Sequence, residues 1–408
     1  MTGREGVRKN VAIVSRAWYP NHQLLFEEVQ SILGDRAKIH YFLLSEKESR
    51  RPWSLTSKSV GPILVPGIHL KAFSKEAVVN TSLRRHLDKA NPSLIIVTPW
   101  SEMGCFLAKR YGRKRGIPTI GWTVGLREWN PTVFWRMRSA LTKALLRRFV
   151  KEDRFVFVDG VKAKRDVLEL AGVSEDKIVV VKHVINERHF DYANHPRNHE
   201  YVQHQRSVLT LDERPLFVCV SQLVQRKGID SLLRAFMKLL QDTKDVQLLL
   251  VGDGPLRALA QQWLELCPAN FKWLPSVPYD QVPMVYAIAD YCVVPSYFDD
   301  WCNVVNESLC GMVPVLCSDG ACAAYDLIRH GETGLMYRGG DVDSLHGLML
   351  YALGNKAVMR KMAENGYRFV RTEWNTAESA RIWAKYILIA LDDDRGGNSK
   401  QSITHEAR

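Results

Sequence analysis

Tyr291-Cys292-Val293-Val294-Pro295-Ser296-Tyr297-Phe298-Asp299-Asp300-Trp301-Cys302-Asn303-Val304-Val305-Asn306-Glu307 runs from a short apolar stretch through a polar loop into the start of a helix. Residues 291–295 have the uncharged, valine-rich character of a strand buried on both faces, and Asn303 to Cys310 has that of a helix's first turns. The loop between them therefore sits at the carboxyl edge of a sheet, where a helix N-terminus offers unpaired amides to a diphosphate. Asp299 and Glu307 stand on either side of that junction. Both are anionic and so poor phosphate ligands, but both are good acceptors for the hydroxyls of a sugar or a ribose. A second reading of the same pair has Asp299 capping the helix and Glu307 on its solvated face.

The strand signature recurs. Asn10 to Val14, Leu94 to Val97, Phe155 to Val158, Leu216 to Val220 and Gln247 to Val251 are short apolar runs separated by helix-length segments. That is the pattern of parallel βα units, so the expected fold class is α/β. A chain of 408 residues exceeds one ordinary domain and suits two Rossmann-like halves. Its 46% hydrophobic content is ample for two cores.

Four further segments flank the acidic stretch. Ser221-Gln222-Leu223-Val224-Gln225-Arg226-Lys227-Gly228 follows the run ending at Val220, and Leu250-Val251-Gly252-Asp253-Gly254-Pro255 makes a Gly-rich turn. Gly311-Met312-Val313-Pro314-Val315 and His330-Gly331-Glu332-Thr333-Gly334-Leu335 come after it. Each is weak alone. Together, in this order and at these spacings, they resemble the retaining glycosyltransferases of family 4, whose fold is GT-B. The resemblance covers most of the C-terminal half. It implies two Rossmann-like domains facing across a cleft, and a UDP- or GDP-linked sugar as donor substrate with no cofactor and no metal.

The resemblance also places residues. Lys227 would reach the donor diphosphate as a compact point charge. Gln222 stands where the family usually has Arg, and neighbouring Arg226 would restore the missing charge. Ser221, Gly252 and Gly254 belong to the phosphate-side turns, and Val277 to the loop Pro275–Pro278 beside the base. The amides of Asn303, Val304 and Val305 would meet phosphate at the helix end, and Glu307 would accept both ribose hydroxyls. Asp299 replaces the family's usual Glu and would contact the donor sugar. Cys302 replaces a Gly that lets backbone approach phosphate closely.

The N-terminal half resembles the family much less. Ligands sit outside the carboxyl ends of parallel strands, so three loops should face the acceptor: Trp18 to His22, Trp100 to Glu102 and Thr123 to Glu128. Many relatives carry a histidine after the strand that here ends in Trp122-Thr123-Val124-Gly125, which has none. The acceptor-side candidates are His22, Trp100, Glu102, Thr123 and Arg127, with Glu102 and Arg127 joining Lys227, Asp299 and Glu307 in catalysis. Arg127 would stabilise developing diphosphate charge.

By the resemblance, the reaction moves a sugar to an acceptor hydroxyl with retention, the leaving diphosphate helping to deprotonate the acceptor on the same face. The acceptor is expected to be a glycan or lipid-linked sugar of bacterial surface polysaccharide synthesis. Fold alone does not decide chemistry. A nucleotide-sugar epimerase or phosphorylase is therefore an alternative, as is a non-catalytic scaffold motivated by Gln222, Cys302 and the absent histidine.

The expected organisation is a disordered 1–9, an acceptor domain over 10–190, a polar His-rich linker over 191–213 and a donor domain over 214–375. The amphipathic stretch 376–391 resembles the family's helix crossing back to the N-terminal domain, and 392–408 should be disordered. The net charge of +12 is partly concentrated in residues 135–151. Met137, Leu141, Leu145 and Phe149 form a stripe there flanked by Arg138, Lys143, Arg147 and Lys151. Such a helix would lie on anionic lipid or pack on the N-terminal sheet with a basic solvated face. No nucleic-acid motif accompanies the charge. No run reaches the ~20 apolar residues of a bilayer span and no signal peptide opens the chain, so a cytoplasmic protein, peripheral on the inner membrane face, is expected. Most of the eight cysteines read as small buried hydrophobes, without zinc-ligand spacing.

Overall fold

The computed structural model describes residues 8–45, 60–72, 75–98, 103–124, 144, 147–194 and 199–392. Contacts divide the chain into two compact units at 123/124, 145/146, 157/158 and 379/380. One compact unit holds most of the N-terminal half with the end of the last helix, and the other holds the remainder.

The first sheet contains β1 (Lys9–Ser15), β2 (Ala37–Leu43), β3 (Pro62–Leu64), β6 (Leu94–Thr98), β7 (Thr119–Thr123), β8 (Phe155–Val158) and β9 (Ile178–Val180), in the order β3-β2-β1-β6-β7-β8-β9. β1 pairs in parallel with both β2 and β6, Val11 facing Ile39 on one side and Leu94 on the other. Val11 to Val14 are fully buried, as a strand covered on both faces by helices requires. A separate antiparallel ribbon joins β4 (Ile68–Ala72) to β5 (Lys75–Val79). The last helix, Thr376–Asp392, drives Trp383 into this unit, where its ring meets Phe26, Trp122 and Phe157 edge-on at centroid distances of 5.3, 4.9 and 4.8 Å.

The second sheet contains β10 (Leu216–Val220), β11 (Gln247–Val251), β12 (Phe271–Leu274), β13 (Tyr291–Val294), β14 (Val315–Ser318) and β15 (Leu335–Tyr337), ordered β12-β11-β10-β13-β14-β15 and parallel throughout. Strand order reverses between β10 and β13. At such a switch point the following connections leave in opposite directions and open a crevice above the strand ends. The loops above it are 221–228 and 295–302, two of the segments that carry the sequence motifs.

Part of the expected polar linker is structured. Residues 199–208 form a helix whose Arg206 is buried. Its guanidinium donates to the carbonyls of Ile288 (2.7 Å), Asp212 (3.2 Å) and Arg214 (3.2 Å) and to Asp290 (2.8 Å). Ile288 closes the helix Val282–Ile288, and Asp212 and Arg214 lie in the loop before β10, so one fork-shaped donor serves three carbonyls outside the strand ladders. The thiols of Cys219, Cys292, Cys310 and Cys317 are buried and their acidity is suppressed by burial, as for small core hydrophobes. Among the described residues no helix is long and apolar enough to cross a membrane.

Candidate functional site

The loop after β10 is shaped to lie against two neighbours. Ser221 continues the ladder by donating to Val251 O (2.8 Å), and Leu223 donates to Asp253 O (3.0 Å). The turn after β11 stays this close because Gly252 has φ +132° and no Cβ, which would overlap the Ser221 carbonyl. Gly254 likewise backs onto Leu223. A short 3₁₀ turn, Gln225–Lys227, then ends at Gly228, which has φ +66° and packs against the Pro295 carbonyl. The Arg226 carbonyl accepts from the amides of Tyr297 (2.9 Å) and Phe298 (3.1 Å), fastening the loop after β10 to the loop after β13.

Charges converge on this seam. Lys227 Nζ donates to Asp299 Oδ2, and Arg226 Nη1 lies 3.1 Å from Asp299 Oδ1 and 3.3 Å from the Phe298 carbonyl. Asp299 is 8% exposed, its amide bound to Gly320 O at 2.9 Å. Burial pushes its carboxyl up, but the Lys227 and Arg226 charges outweigh burial and hold it below the ordinary carboxylate range. Two cations and one carboxylate leave a net positive cluster. Arg226, the residue considered for the charge missing at Gln222, is part of it. Asp299 therefore does not cap the helix; it orients both cations.

The helix Asn303–Cys310 begins beside the cluster. Its N-cap, Cys302, has φ +83° and ψ +79°, a left-handed conformation that L residues other than Asn and Asp rarely adopt. The sequence resemblance has Gly at this position, and the geometry gives the reason. Val305 N turns back to Cys302 O at 3.1 Å, while first-turn amides lack acceptors within the helix and face outward along its dipole. The Cys302 thiol is buried and driven to high pKa by burial and by Asp299, so it serves as filler, not nucleophile. Cys302→Gly should remain within about 1 kcal/mol of the parent, because relief of left-handed strain offsets the lost side chain. Cys302→Val, β-branched, should lose more than about 2 kcal/mol. Urea unfolding of the two variants tests this, and equal stability would refute the strain argument.

Glu307 lies one turn further along the same helix, half-buried, and accepts a 2.7 Å hydrogen bond from the buried Tyr286 hydroxyl. That bond fixes one carboxylate oxygen. Val277 is half-buried against the same core in the loop after β12.

The sequence reading missed one group. Asp159, following β8, lies 2.6 Å from His183 Nδ1, and His183 Nε2 lies 2.9 Å from Asn303 Oδ1. The His183 ring packs on Trp301 at 5.1 Å, and Trp301 stacks on Trp374 at 5.7 Å with an interplanar angle of 13°. Trp374 Nε1 donates to the His183 carbonyl at 2.7 Å, and Trp301 Nε1 to Asn306 Oδ1 at 2.7 Å. The acidic loop is thus clamped through its tryptophan. No local motif marks this cluster, since Asp159, His183 and Asn303 are far apart in the chain.

The acceptor-side candidates fare differently. His22 is 7% exposed in the first turn of the helix Pro20–Leu33, surrounded by Trp18, Tyr19, Phe26, Tyr41 and Trp122. Its place is an aromatic core, its Nδ1 3.5 Å from the Tyr41 hydroxyl. Thr123 ends β7, half-buried. Trp100, Glu102 and Arg127 lie outside the described residues. Of the basic stretch 135–151 only 144 and 147–151 are described; there Arg147, Arg148 and Lys151 are exposed and Phe149 packs inward on Phe106 at 4.8 Å.

Residues 202–369 match the family model described as Glycosyl transferases group 1. A GDP-mannose-dependent monoacylated alpha-(1-6)-phosphatidylinositol monomannoside mannosyltransferase of Corynebacterium glutamicum is 29% identical over 172 residues, 40% of this chain and 44% of that protein. A GDP-mannose-dependent alpha-(1-6)-phosphatidylinositol monomannoside mannosyltransferase of Mycolicibacterium smegmatis is 33% identical over 145 residues, 33% of this chain and 37% of that one. The chain thus spans less than half the length of these curated relatives. Among solved structures, Anabaena HepE in complex with UDP is similar with a TM-score of 0.70 at 14% identity, covering 93% of this chain and all of that one. Sucrose-phosphate synthase from Thermosynechococcus elongatus gives 0.71 at 15%, covering 95% and 100%. The chain therefore has the GT-B fold, α/β with two Rossmann-like domains, and carries a glycosyl transferases group 1 domain, as its motifs implied.

Proposed function

We infer that the chain is a retaining glycosyltransferase that moves a hexose from a UDP- or GDP-linked donor to a hydroxyl of a glycan or lipid-linked acceptor. The observation that carries this reading is the joining of Lys227 and Arg226 on Asp299 at the β10/β13 switch point, beside the N-terminus of the helix Asn303–Cys310. A diphosphate placed there meets two cations and a helix dipole, so charge developing on the leaving group is met by groups already oriented. These take the role a metal ion fills elsewhere. Glu307 orients the ribose, and Asp299 steadies the cations beside the sugar. As the bond from the anomeric carbon to the diphosphate breaks, the acceptor oxygen bonds to the same face and its proton passes to the departing phosphate oxygen. Glu102 and Arg127 remain the candidates for positioning the acceptor.

GDP-mannose is the first donor to try, because curated relatives named as GDP-mannose-dependent match this chain over 172 and 145 residues. A membrane-borne acceptor, as in bacterial surface polysaccharide assembly at the inner membrane face, has its own support. The helix Met103–Arg115 presents Met103, Phe106 and Leu107 at 52, 38 and 39% exposure, with Arg110 and Lys114 exposed further along the same face. Its apolar end lies at the carboxyl edge of β6, where an acceptor would enter, and basic residues beside exposed apolar ones suit anionic lipid.

Thermal-shift titration with GDP, UDP and their sugar conjugates tests the reading. At ligand near 100 times its dissociation constant, about 2.7 kcal/mol of added stability is expected, an upward shift of several degrees. Glu307→Ala should weaken donor binding by about 10- to 100-fold, the loss of hydrogen bonds to a charged group. A folded protein that responds to none of these nucleotides would sink the donor reading and leave a non-catalytic GT-B scaffold.

A further inference from the structure

His183 has an oxygen acceptor at each ring nitrogen: the Asp159 carboxylate at 2.6 Å from Nδ1 and the Asn303 side-chain carbonyl at 2.9 Å from Nε2. An imidazole satisfies two acceptors at once only as the cation. The Asp159 carboxylate, its side chain 2% exposed, accepts from Nδ1 and so holds a proton there. Nε2 is then the nitrogen that gains or loses its proton. With the proton present, the Asn303 oxygen turns toward His183 and its NH2 group turns away, beside the first-turn amides of the helix Asn303–Cys310. Without it, the amide must rotate to give its NH2 to Nε2, and its oxygen faces outward.

An anionic diphosphate at that helix end discriminates between the two arrangements. It accepts a hydrogen bond from an outward NH2 and is repelled by an outward oxygen. We propose that His183 is a positioning residue whose cationic form sets the Asn303 amide to donate to the donor diphosphate, so that donor binding takes up a proton at this ring. The inference rests on the donor reading given above and adds a proton linkage to it.

The surroundings hold the ring in this one place. Its face lies on Trp301, its carbonyl receives Trp374 Nε1, and its amide donates to Asp159 O at 2.9 Å. Of the neighbouring ionisable groups, Lys182 Nζ donates to the Glu373 carbonyl at 2.6 Å, and both oxygens of Asp326, which backs onto Gly160, accept from Val161 N at 3.1 Å. Burial raises the Asp326 carboxyl to about 7, so only uptake that His183→Gln abolishes is assigned to the ring.

The sign follows from linkage. If the charged ring binds donor better, the dissociation constant rises with pH as the ring gives up its proton, by at most about tenfold per unit. Calorimetric titration of the full chain with GDP-mannose and UDP-glucose, in buffers of different ionisation enthalpy, counts the protons. The diphosphate of a nucleotide sugar is a diester with no proton to exchange near neutral pH, so uptake reports on the protein. Uptake of up to one proton per donor bound is expected, and His183→Gln, whose amide donates to Asn303 at every pH, should bind donor with that uptake removed. Asp159→Asn, which withdraws the carboxylate favouring the cation, should move the pH dependence to lower pH. Donor binding with no buffer-dependent heat, or with the same uptake in His183→Gln, would overturn the inference and leave the donor reading intact. No binding of either nucleotide sugar would overturn both.

Discussion

Lys227→Ala will lower kcat/KM by two to three orders of magnitude and will also weaken the fold. The first effect follows from position. Lys227 is one of two cations at the crevice between β10 and β13, and removing a preoriented group that stabilises leaving-group charge typically costs about 3–4 kcal/mol of transition-state stabilisation. The second follows from Asp299. The side chains of Lys227 and Asp299 are 12% and 11% exposed, so deleting the lysine leaves a buried carboxylate held by Arg226 alone. Losing one partner of such a pair costs about 3 kcal/mol. The pH dependence separates this from a general packing defect. In the parent, burial raises the Asp299 carboxyl but Lys227 with Arg226 lower it by more, so its folded value lies below the unfolded one of about 3.8. Its contribution to stability is present above the unfolded value and is lost as pH falls through the folded one. In Lys227→Ala the largest opposing charge is gone and burial remains, so acid destabilisation should begin at higher pH than in the parent. Lys227→Arg keeps the charge and should retain more stability than activity, because a planar fork does not place a point charge where the ammonium stood. Steady-state kinetics and urea unfolding at neutral and mildly acidic pH measure all of this. Activity within tenfold of the parent would remove Lys227 from the proposed chemistry.

How far the sequence could be read depended on whether an element was local. The loop 221–228, the turn 252–254 and the segment 295–307 each carry their role in a few adjacent residues. The conformations they require, at Gly228 and Gly252 above all, are visible as residue types. Cys302 shows the limit of that legibility. The substitution is plain in the sequence, but that the backbone keeps the left-handed conformation with a Cβ in place is a fact of the fold. Asp159, His183 and Asn303 were not legible because only the packing of three separated segments brings them together. Arg206 was read as part of a solvated, His-rich stretch, since a lone arginine among polar residues does not reveal that the carbonyls of Ile288, Asp212 and Arg214 surround it. His22 was an acceptor-side candidate because it follows the first strand. Trp18, Tyr19 and Phe26 stand at helical spacing from it, but Tyr41 and Trp122 come from two separate strands, so the closed aromatic surround is not visible in the local sequence.

Gly228→Ala tests whether the seam between the two donor loops holds the site together. Two costs are expected, and they can be measured apart. The first is conformational: Gly228 has φ +66°, and an alanine there carries the left-handed penalty of about 1–2 kcal/mol. The second is steric. The new Cβ would overlap the Pro295 carbonyl oxygen, a backbone atom at the end of β13 that cannot move aside as a flexible side chain would. The loops 221–228 and 295–302 must then separate, straining the bonds from Tyr297 N and Phe298 N to Arg226 O and drawing Lys227 and Arg226 away from Asp299. Total destabilisation should exceed about 3 kcal/mol, and donor binding should fall with it. Gly116 provides the matched control. It too has φ +66°, but nothing lies within 4 Å of where its Cβ would stand, so Gly116→Ala should lose only the conformational part. The difference between the two variants in urea unfolding isolates the collision at Pro295. Equal losses would mean that the loops tolerate separation, and the charge cluster at Asp299 would then need some other support than the close approach of Gly228 to β13.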